Sequence, residues 1–373
     1  MVRRRTILVG GAALLVLGGG GMVAAGRAAS QRYARFADAS RRPIAEEGGT
    51  RELVRYATLA ANGHNTQPWR FRESGEGIAI LPDFSRRTPV VDPDDHHLHV
   101  SLGCAIENLA IAAAATGRTG EVLPLADGRD GARYVFGGAS SAAIDADLRE
   151  MFAAIPRRQS TRSVYDGRAV PAADLAHLQR SAKVEGSALR LLTERKAIDQ
   201  VRDLVATGND EQMADPAFMR ELKAWLRFNP ASAMEKGDGL YSVASGNPSL
   251  PEWIGRAAFD FVVTPAGESD KYRRQLDSSA GVAVLSAEDE GPAGWLAVGR
   301  ACQRFCLAAT ALGIKTAFVN QPIEVARLRG EMAAIAGFAG RRPDLVLRFG
   351  YAPAMTFSPR RPVEAVLDPQ VDG

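Results

Sequence analysis

Three residues in "RRQSTRSVYDGRAVP" have types and spacing that could do chemistry: Arg158, Ser160 and Arg162. In an extended chain alternate residues face one side, so two guanidinium forks would flank one hydroxyl. That set suits a phosphate group, whose oxygens guanidinium binds in bidentate fashion. A solvated basic loop carries the same pattern. Arg360 and Arg361, in "SPRRPVEAVL", could add two cations to such a site or belong to an ordinary charged tail.

A second stretch, "LAANGHNTQPWRF", puts His64, Asn65 and Gln67 between a helical run and an aromatic strand start. Its amides offer donors and acceptors together, the mixture that a planar heterocycle with alternating N–H and C=O groups requires. A turn that closes a helix with local side-chain hydrogen bonds fits the same residues.

Other clusters point less far. "DPDDHHLH", Asp92 to His99, gathers metal-ligand types, but its spacing fits no standard zinc pattern. Asp94 or Asp95 before an apolar helix suits N-capping. No metal site is expected. Cys104, Cys302 and Cys306 form neither a disulfide framework nor a CxxC pair, and buried packing is the expected role. Walker A, post-strand GxGxxG, GxSxG and HExxH motifs are all missing. No catalytic residue can be named from the sequence.

The 373 residues are 46% hydrophobic and 24% charged, enough for a large core in one or two domains. Residues 1–30 carry Arg3, Arg4, Arg5 and Arg27 and no acid; taking those four from the net +3 leaves the body at −1. A near-neutral body argues against nucleic acid as a partner, which needs a basic face.

"RRRTILVGGAALLVLGGGGMVAAGRAAS" has signal-peptide anatomy, with Arg4-Arg5 followed closely by apolar residues in the twin-arginine manner. Export as a folded protein to a periplasmic or other extracytoplasmic location is expected. Anchoring through residues 6–26 is the alternative, since about 20 apolar residues can span a bilayer. No later segment is expected to span one.

The elements that must position these residues follow from periodicity. Residues 31–49 read as a linker. Helices are expected over 50–61, 98–116, 142–154, 172–182, most of 196–228 and 297–312. Short strands are expected at 67–72, 77–81, 120–125, 132–136, 189–193, 280–286, 316–319 and 345–350. Residues 229–251, rich in Gly, Ser, Asn and Pro, read as a long loop of the lid kind.

"GCAIENLAIAAAATG" (103–117) laid over "GRACQRFCLAATALG" (299–313) matches the glycines at both ends and four alanines. A short strand follows each copy. Two related helix–strand units are implied, each presenting a small-residue helix face to a close contact.

Taken together, these pieces resemble the nitroreductase-like family of FMN proteins. "ANGHNTQPWRF" resembles its Asn-x-Gln-Pro-Trp segment, which lies along the isoalloxazine ring. "RRQSTRSVYDGRAVP" resembles its Arg-x-Ser-x-Arg motif, and "SPRRPVEAVL" its closing arginine segment. The motif order is reversed from that of ordinary members, which are about half this length and form homodimers. With "RRTPVVDP", "GDGL" and "RFGY", the order resembles the Acg-type branch of single-chain pseudo-dimers, over most of residues 50–367.

The resemblance implies an α+β fold with two related halves, 50–154 and 155–367, joined as an internal pseudo-dimer around central helices with mixed or antiparallel sheets. A lid-like insertion lies near 229–251. It implies one FMN site, with His64, Asn65 and Gln67 at the ring and Arg158, Ser160, Arg162, Arg360 and Arg361 at the phosphate end. It further implies hydride or electron transfer to a nitro compound or quinone. The alternative is a protein that sequesters FMN with little NAD(P)H-dependent turnover. The sequence demands no further oligomer.

Overall fold

The computed structural model describes residues 25–44, 49–125, 130–137, 145–338 and 340–369. Residues 1–24, which hold most of the expected export segment, lie outside that set.

The chain opens with helix α1 (25–39), where a linker is expected. Tyr33 and Ala37 are buried at i and i+4, one face of the helix, and Arg41 is buried just past its end. The polar residues between them mask that stripe in the sequence. There follow α2 (Thr50–Ala57), β1 (Trp69–Ser74), β2 (Gly77–Pro82), α3 (His96–Ala115), β3 (Gly120–Pro124), β4 (Ala132–Phe136) and α4 (Ala146–Ala154). After α5 (Ala172–Ser181) and β5 (Ser187–Leu192) comes a long insertion. It contains α6 (Arg195–Ala214), α7 (Pro216–Trp225), β6 (Leu226–Arg227), α8 (Pro230–Lys236), β7 (Leu240–Tyr241), α9 (Glu252–Val262) and α10 (Pro265–Asp277). The chain closes with β8 (Gly281–Ala287), α11 (Pro292–Ala311), β9 (Lys315–Phe318), α12 (Gln321–Glu324), α13 (Arg329–Ala336) and β10 (Leu345–Gly350).

The α+β class is as expected. Two four-stranded sheets have the orders β1-β2-β4-β3 and β5-β8-β10-β9, and every pairing within them is antiparallel. Counted within its own half, each sheet has the order 1-2-4-3, with a 20-residue helix between its second and third strands. The halves differ in what joins the first two strands: the tight turn at Gly75-Glu76 in one, the insertion α6–α10 in the other.

The sequence repeat falls on these long helices with one offset, 299 − 103 = 196. It carries His96 onto Pro292 and Ala115 onto Ala311, the first and last residues of α3 and α11. The two helices pack through their equivalent glycines. A Cβ on Gly103 would lie 2.2 Å from the Leu296 carbonyl oxygen, and one on Gly299 would lie 2.1 Å from that of Val100. Val100 and Leu296 are themselves equivalent. Asn108 with Gln303 (2.7 Å) is mirrored by Arg304 with Glu107 (2.8 Å). Reciprocal contacts of this kind define a two-fold relation, here inside one chain.

α3 is long and apolar enough to cross a membrane, against expectation, but 83% of its apolar window is buried. It is the centre of the main core. β8 and β10 are buried on both faces. Ala283, Leu285 and Leu347 face the main core, while Val282, Val284 and Val346 face a second cluster under α6, α10, α12 and α13. Their continuous apolar runs follow from that double cover.

The tail then returns to the first half. Phe71 donates its N–H to the Val366 carbonyl (2.7 Å) and accepts from Asp368 (2.7 Å), extending the first sheet at β1. Residues 158–162 run beside β9, where Thr161 donates to the Thr316 carbonyl (2.8 Å). These two crossings bring 58–67, 158–162 and 356–361 together.

Candidate functional site

Two cavities meet where the segments converge. The larger, about 230 Å³, lies between the halves, with Gly63, His64, His97, Arg162, Gln321 and Glu324 in its wall. The smaller, about 40 Å³, is lined by Arg41, Asn65, Arg158, Ser160, Arg162 and Arg360. Ala61, Asn62, Ser160, Arg162 and Leu240 belong to both, so the spaces adjoin.

The smaller cavity is a cationic cage. Arg158 is 4% exposed and Arg360 6%. Among the described residues neither they nor Arg41 and Arg162 form an ion pair, although buried charges are usually paired. Arg158 donates from Nη2 to the Leu59 carbonyl (2.8 Å), and its Nε has no partner. Arg162 and Ser160 make no side-chain hydrogen bond among the described residues and face both cavities. Burial holds the Arg158, Arg162 and Arg360 guanidiniums below their ordinary range. Unpaired guanidinium donors around a void are what a phosphate group would satisfy.

Arg360 sits differently from the expectation. It donates from Nε to the Thr58 carbonyl (2.6 Å) and from Nη1 to Asn65 Oδ1 (2.8 Å) and the Pro359 carbonyl (2.9 Å). From Nη2 it donates to the Leu59 (3.3 Å) and Ala60 (3.1 Å) carbonyls. All five of its N–H groups are engaged, so it brings charge to the cage without a free donor. Arg361 is off the site: it donates to the Gln67 and Ala365 carbonyls and lies 4.0 Å from Asp83.

Asn65 and Gln67, expected at the ring, hydrogen-bond to the protein in this structure. Gln67 is fully buried; it donates to the Gly237 carbonyl (2.8 Å) and accepts from the Arg361 N–H (2.9 Å). Asn65 donates to the Gly239 and Pro359 carbonyls, both at 3.1 Å. Both side chains fasten the 63–67 turn to loops from the second half. That turn holds His64, Asn65 and Gln67 at φ of 46°, 54° and 54°, a left-handed backbone that ordinary residues adopt only when surroundings enforce it. The sequence marks the polar residues but not which way they point.

Of His64, Asn65 and Gln67, His64 faces the larger cavity. Burial, then His97 and Arg162, push its pKa down to about 4, so the ring is neutral near pH 7. Opposite lies Glu324, which sequence reasoning missed. It accepts from Gln212 Nε2 (2.6 Å), lies 3.8 Å from His97 Nδ1, and is raised by burial.

Asp92, His96 and His97 cluster with potential ligand atoms within 4.8 Å. Asp92 is engaged with the backbone, whereas His96 Nε2 is buried without a hydrogen bond. Asp92 accepts from the His97 (2.9 Å) and Leu98 (3.0 Å) N–H groups, so it is the cap for α3 that was expected of Asp94 or Asp95. His96 Nε2 lies 2.9 Å from Asp344 Oδ1.

The expected lid is a packed element. Asn229 caps α8, Pro230 starts it and Gly237 ends it. Asp238 pairs with Arg86 and with Arg227 (2.6 Å). Only Leu240 of this stretch reaches both cavities. The insertion lines the larger one from both sides of this stretch: Gln212 and Met213 of α6 and Phe218 and Leu222 of α7 before it, and Glu268 and Tyr272 of α10 after it.

No family model matches the chain. It is 27% identical over 328 residues to a Mycobacterium tuberculosis protein named "Putative NAD(P)H nitroreductase Rv3131", covering 85% of this chain and 90% of the relative. It is 26% identical over 326 residues to the similarly named acg protein of the same organism, covering 85% and 94%. These relatives bear out the resemblance drawn from the motifs. Among solved structures it is similar to a Desulfitobacterium hafniense nitroreductase with bound FMN (13% identity, 60% of this chain, 98% of that one, TM-score 0.37). Another is the FMN-dependent nitroreductase NfnB of Mycobacterium smegmatis in complex with NADPH (15% identity, 60% and 94%, TM-score 0.36).

Proposed function

We propose that this chain, similar to NAD(P)H nitroreductases over 85% of its length, is an FMN-binding oxidoreductase. The observation that carries the reading is the cage of buried Arg158 and Arg360 and half-buried Arg162, which has no carboxylate partner among the described residues and opens onto a larger cavity of mixed lining. A phosphate in the cage and a planar ring next door fit those residues. Bound FMN would supply hydride or electron transfer. The protein's part is to hold the phosphate by Arg158, Ser160 and Arg162, present neutral His64 in the ring cavity, and set the Glu324 carboxyl, raised by burial, in the wall of the space that an acceptor of the nitro or quinone class would enter.

One observation favours a second reading, sequestration of FMN with little turnover. The larger cavity, about 230 Å³, falls below the roughly 300 Å³ of ordinary ligand pockets. A flavin ring would fill that space. An acceptor and a nicotinamide donor would need more room still.

One preparation tests both. The purified protein is expected to be yellow, or to become so with added FMN. Bleaching by NADPH without oxygen supports the oxidoreductase. Bleaching by dithionite alone supports sequestration or another electron donor. A colourless protein that fails to take up FMN rejects both.

The N-terminal segment is read as a twin-arginine export signal, placing the folded body outside the cytoplasm, free or tethered by residues 6–26. Fractionation of the Arg4→Lys/Arg5→Lys variant tests this: retention of precursor in the cytoplasm supports it, and unchanged export overturns it.

A further inference from the structure

The smaller cavity has a fourth arginine, contributed from outside both halves. Arg41 follows α1, is 9% exposed, and lines the same space as Arg158, Ser160, Arg162 and Arg360. Its guanidinium carbon lies 4.0 Å from the centre of the Phe357 ring. Nη1 donates to the Ala37 carbonyl (2.9 Å) and Ser40 Oγ (3.1 Å). Nη2 reaches the Ser358 carbonyl at 3.3 Å, and Nε has no partner. Like the others it forms no ion pair among the described residues.

α1 holds Arg41 there by a small core of its own. Tyr33 and Ala37 pack on Ala233, Tyr241 and Ala244. The Tyr33 ring centre is 4.4 Å from that of Tyr241, and its hydroxyl donates to the Phe357 carbonyl (2.8 Å). The Arg41 carrier therefore rests on segment 233–244 and the 357–358 turn, both of which also border the cage through Leu240 and Phe357.

This arrangement is electrostatically incomplete. Burial and the neighbouring Arg158 charge lower the Arg41 guanidinium to about 10. Its closeness to Arg158 and Arg360 opposes docking of α1 while no anion lies among them. A dianion in the cage would reverse that sign.

We propose that Arg41 is a binding residue of this anion site and α1 its clasp, so that docking of α1 and binding of a phosphate monoester are linked. The identity of that ligand as the FMN phosphate rests on the flavin reading above; the clasp itself does not.

The test uses the full chain and three probes: FMN, riboflavin, which lacks the phosphate, and inorganic phosphate. Arg41→Met keeps the stem over Phe357 and removes the charge. Arg42→Met changes an exposed neighbour paired with Glu52 and controls for folding. Loss of a charge-assisted hydrogen bond predicts roughly ten- to a hundredfold weaker FMN binding in Arg41→Met, with riboflavin unchanged. Arg42→Met should match the parent on both. FMN and inorganic phosphate, but not riboflavin, should slow proteolysis within residues 25–39, and Arg41→Met should abolish that protection. If the chain binds neither flavin yet phosphate protects α1 through Arg41, the clasp stands and the flavin reading falls. Equal loss of FMN and riboflavin affinity in Arg41→Met, or α1 cleavage indifferent to every probe, overturns the proposal.

Discussion

Arg158 and Arg360 donate to one acceptor, the Leu59 carbonyl oxygen, at 2.8 and 3.3 Å. Two guanidiniums thus share the end of the α2 turn, and they are not equivalent. Arg360 is fully engaged with the protein, while Arg158 keeps free donors. Arg360→Ala should therefore act first on the fold, stranding the acceptors at Thr58 and Asn65, while Ala60 keeps the Asn62 amide and Leu59 keeps Arg158. At about 1–3 kcal/mol for each buried group left unpaired, a loss of at least ~2 kcal/mol is expected. Denaturant unfolding measures it; a change under ~1 kcal/mol would show that those contacts are dispensable.

Gln67→Ala separates fastening from ligand contact. Removing the side chain leaves the Gly237 carbonyl and the Arg361 N–H unpaired, so stability should fall by about 2–5 kcal/mol. The folded fraction should bind flavin within about threefold of the parent. A large loss of affinity with unchanged stability would restore Gln67 to direct ring contact.

The pseudo-two-fold contact makes a symmetric prediction. Gly103→Ala and Gly299→Ala each drive a methyl into a carbonyl of the facing helix, and overpacking costs about 1–3 kcal/mol. The losses should be similar, and the double variant should lose clearly less than the sum, because one separation of α3 from α11 relieves both clashes. Additive losses would mean that the two contacts are independent.

His64 carries a pH prediction. Its folded pKa is about 4, against about 6.5 in an unfolded chain. Between those values the unfolded state holds more protons, so this residue makes stability fall as pH drops from about 6.5 towards 4. Glu324 and Asp344 are raised and act with the opposite sign over the acid range, so a bulk melting curve mixes them. Resolved imidazole shifts, assigned with a His64→Gln variant, isolate the group. A midpoint near 6.5 would show that the ring is solvated.

Much of this was legible in the sequence because it is periodic. The 299-over-103 alignment found both central helices, although the expected starts at 98 and 297 fall two and five residues inside the observed ones. The strand positions followed from alternation and flanking turn residues. α1 is hard to read because its buried stripe is short, Tyr33 and Ala37, and the next buried position, Arg41 just past its end, is an arginine, which pattern reading counts as solvent-facing. The site was half legible. Arg158, Ser160 and Arg162 converge as their alternation implies. Yet spacing cannot tell that Gln67 faces the Gly237 loop while His64 faces the cavity, because a left-handed backbone redirects each side chain. Glu324 gave no signal: it is one acid in a short helix, significant only because α6 and α3 close over it.

The central claim is that Arg158, Ser160 and Arg162 hold the phosphate of bound FMN. Flavin content and FMN affinity of the Arg158→Ala/Arg162→Ala protein, read by absorbance and by quenching of flavin fluorescence beside the parent, test it most directly. The parent should hold FMN with one-to-one stoichiometry. The variant should be folded and colourless as purified, with FMN binding weakened about a hundredfold or more, as expected for loss of two charge-assisted contacts. A folded variant that retains stoichiometric FMN would contradict it.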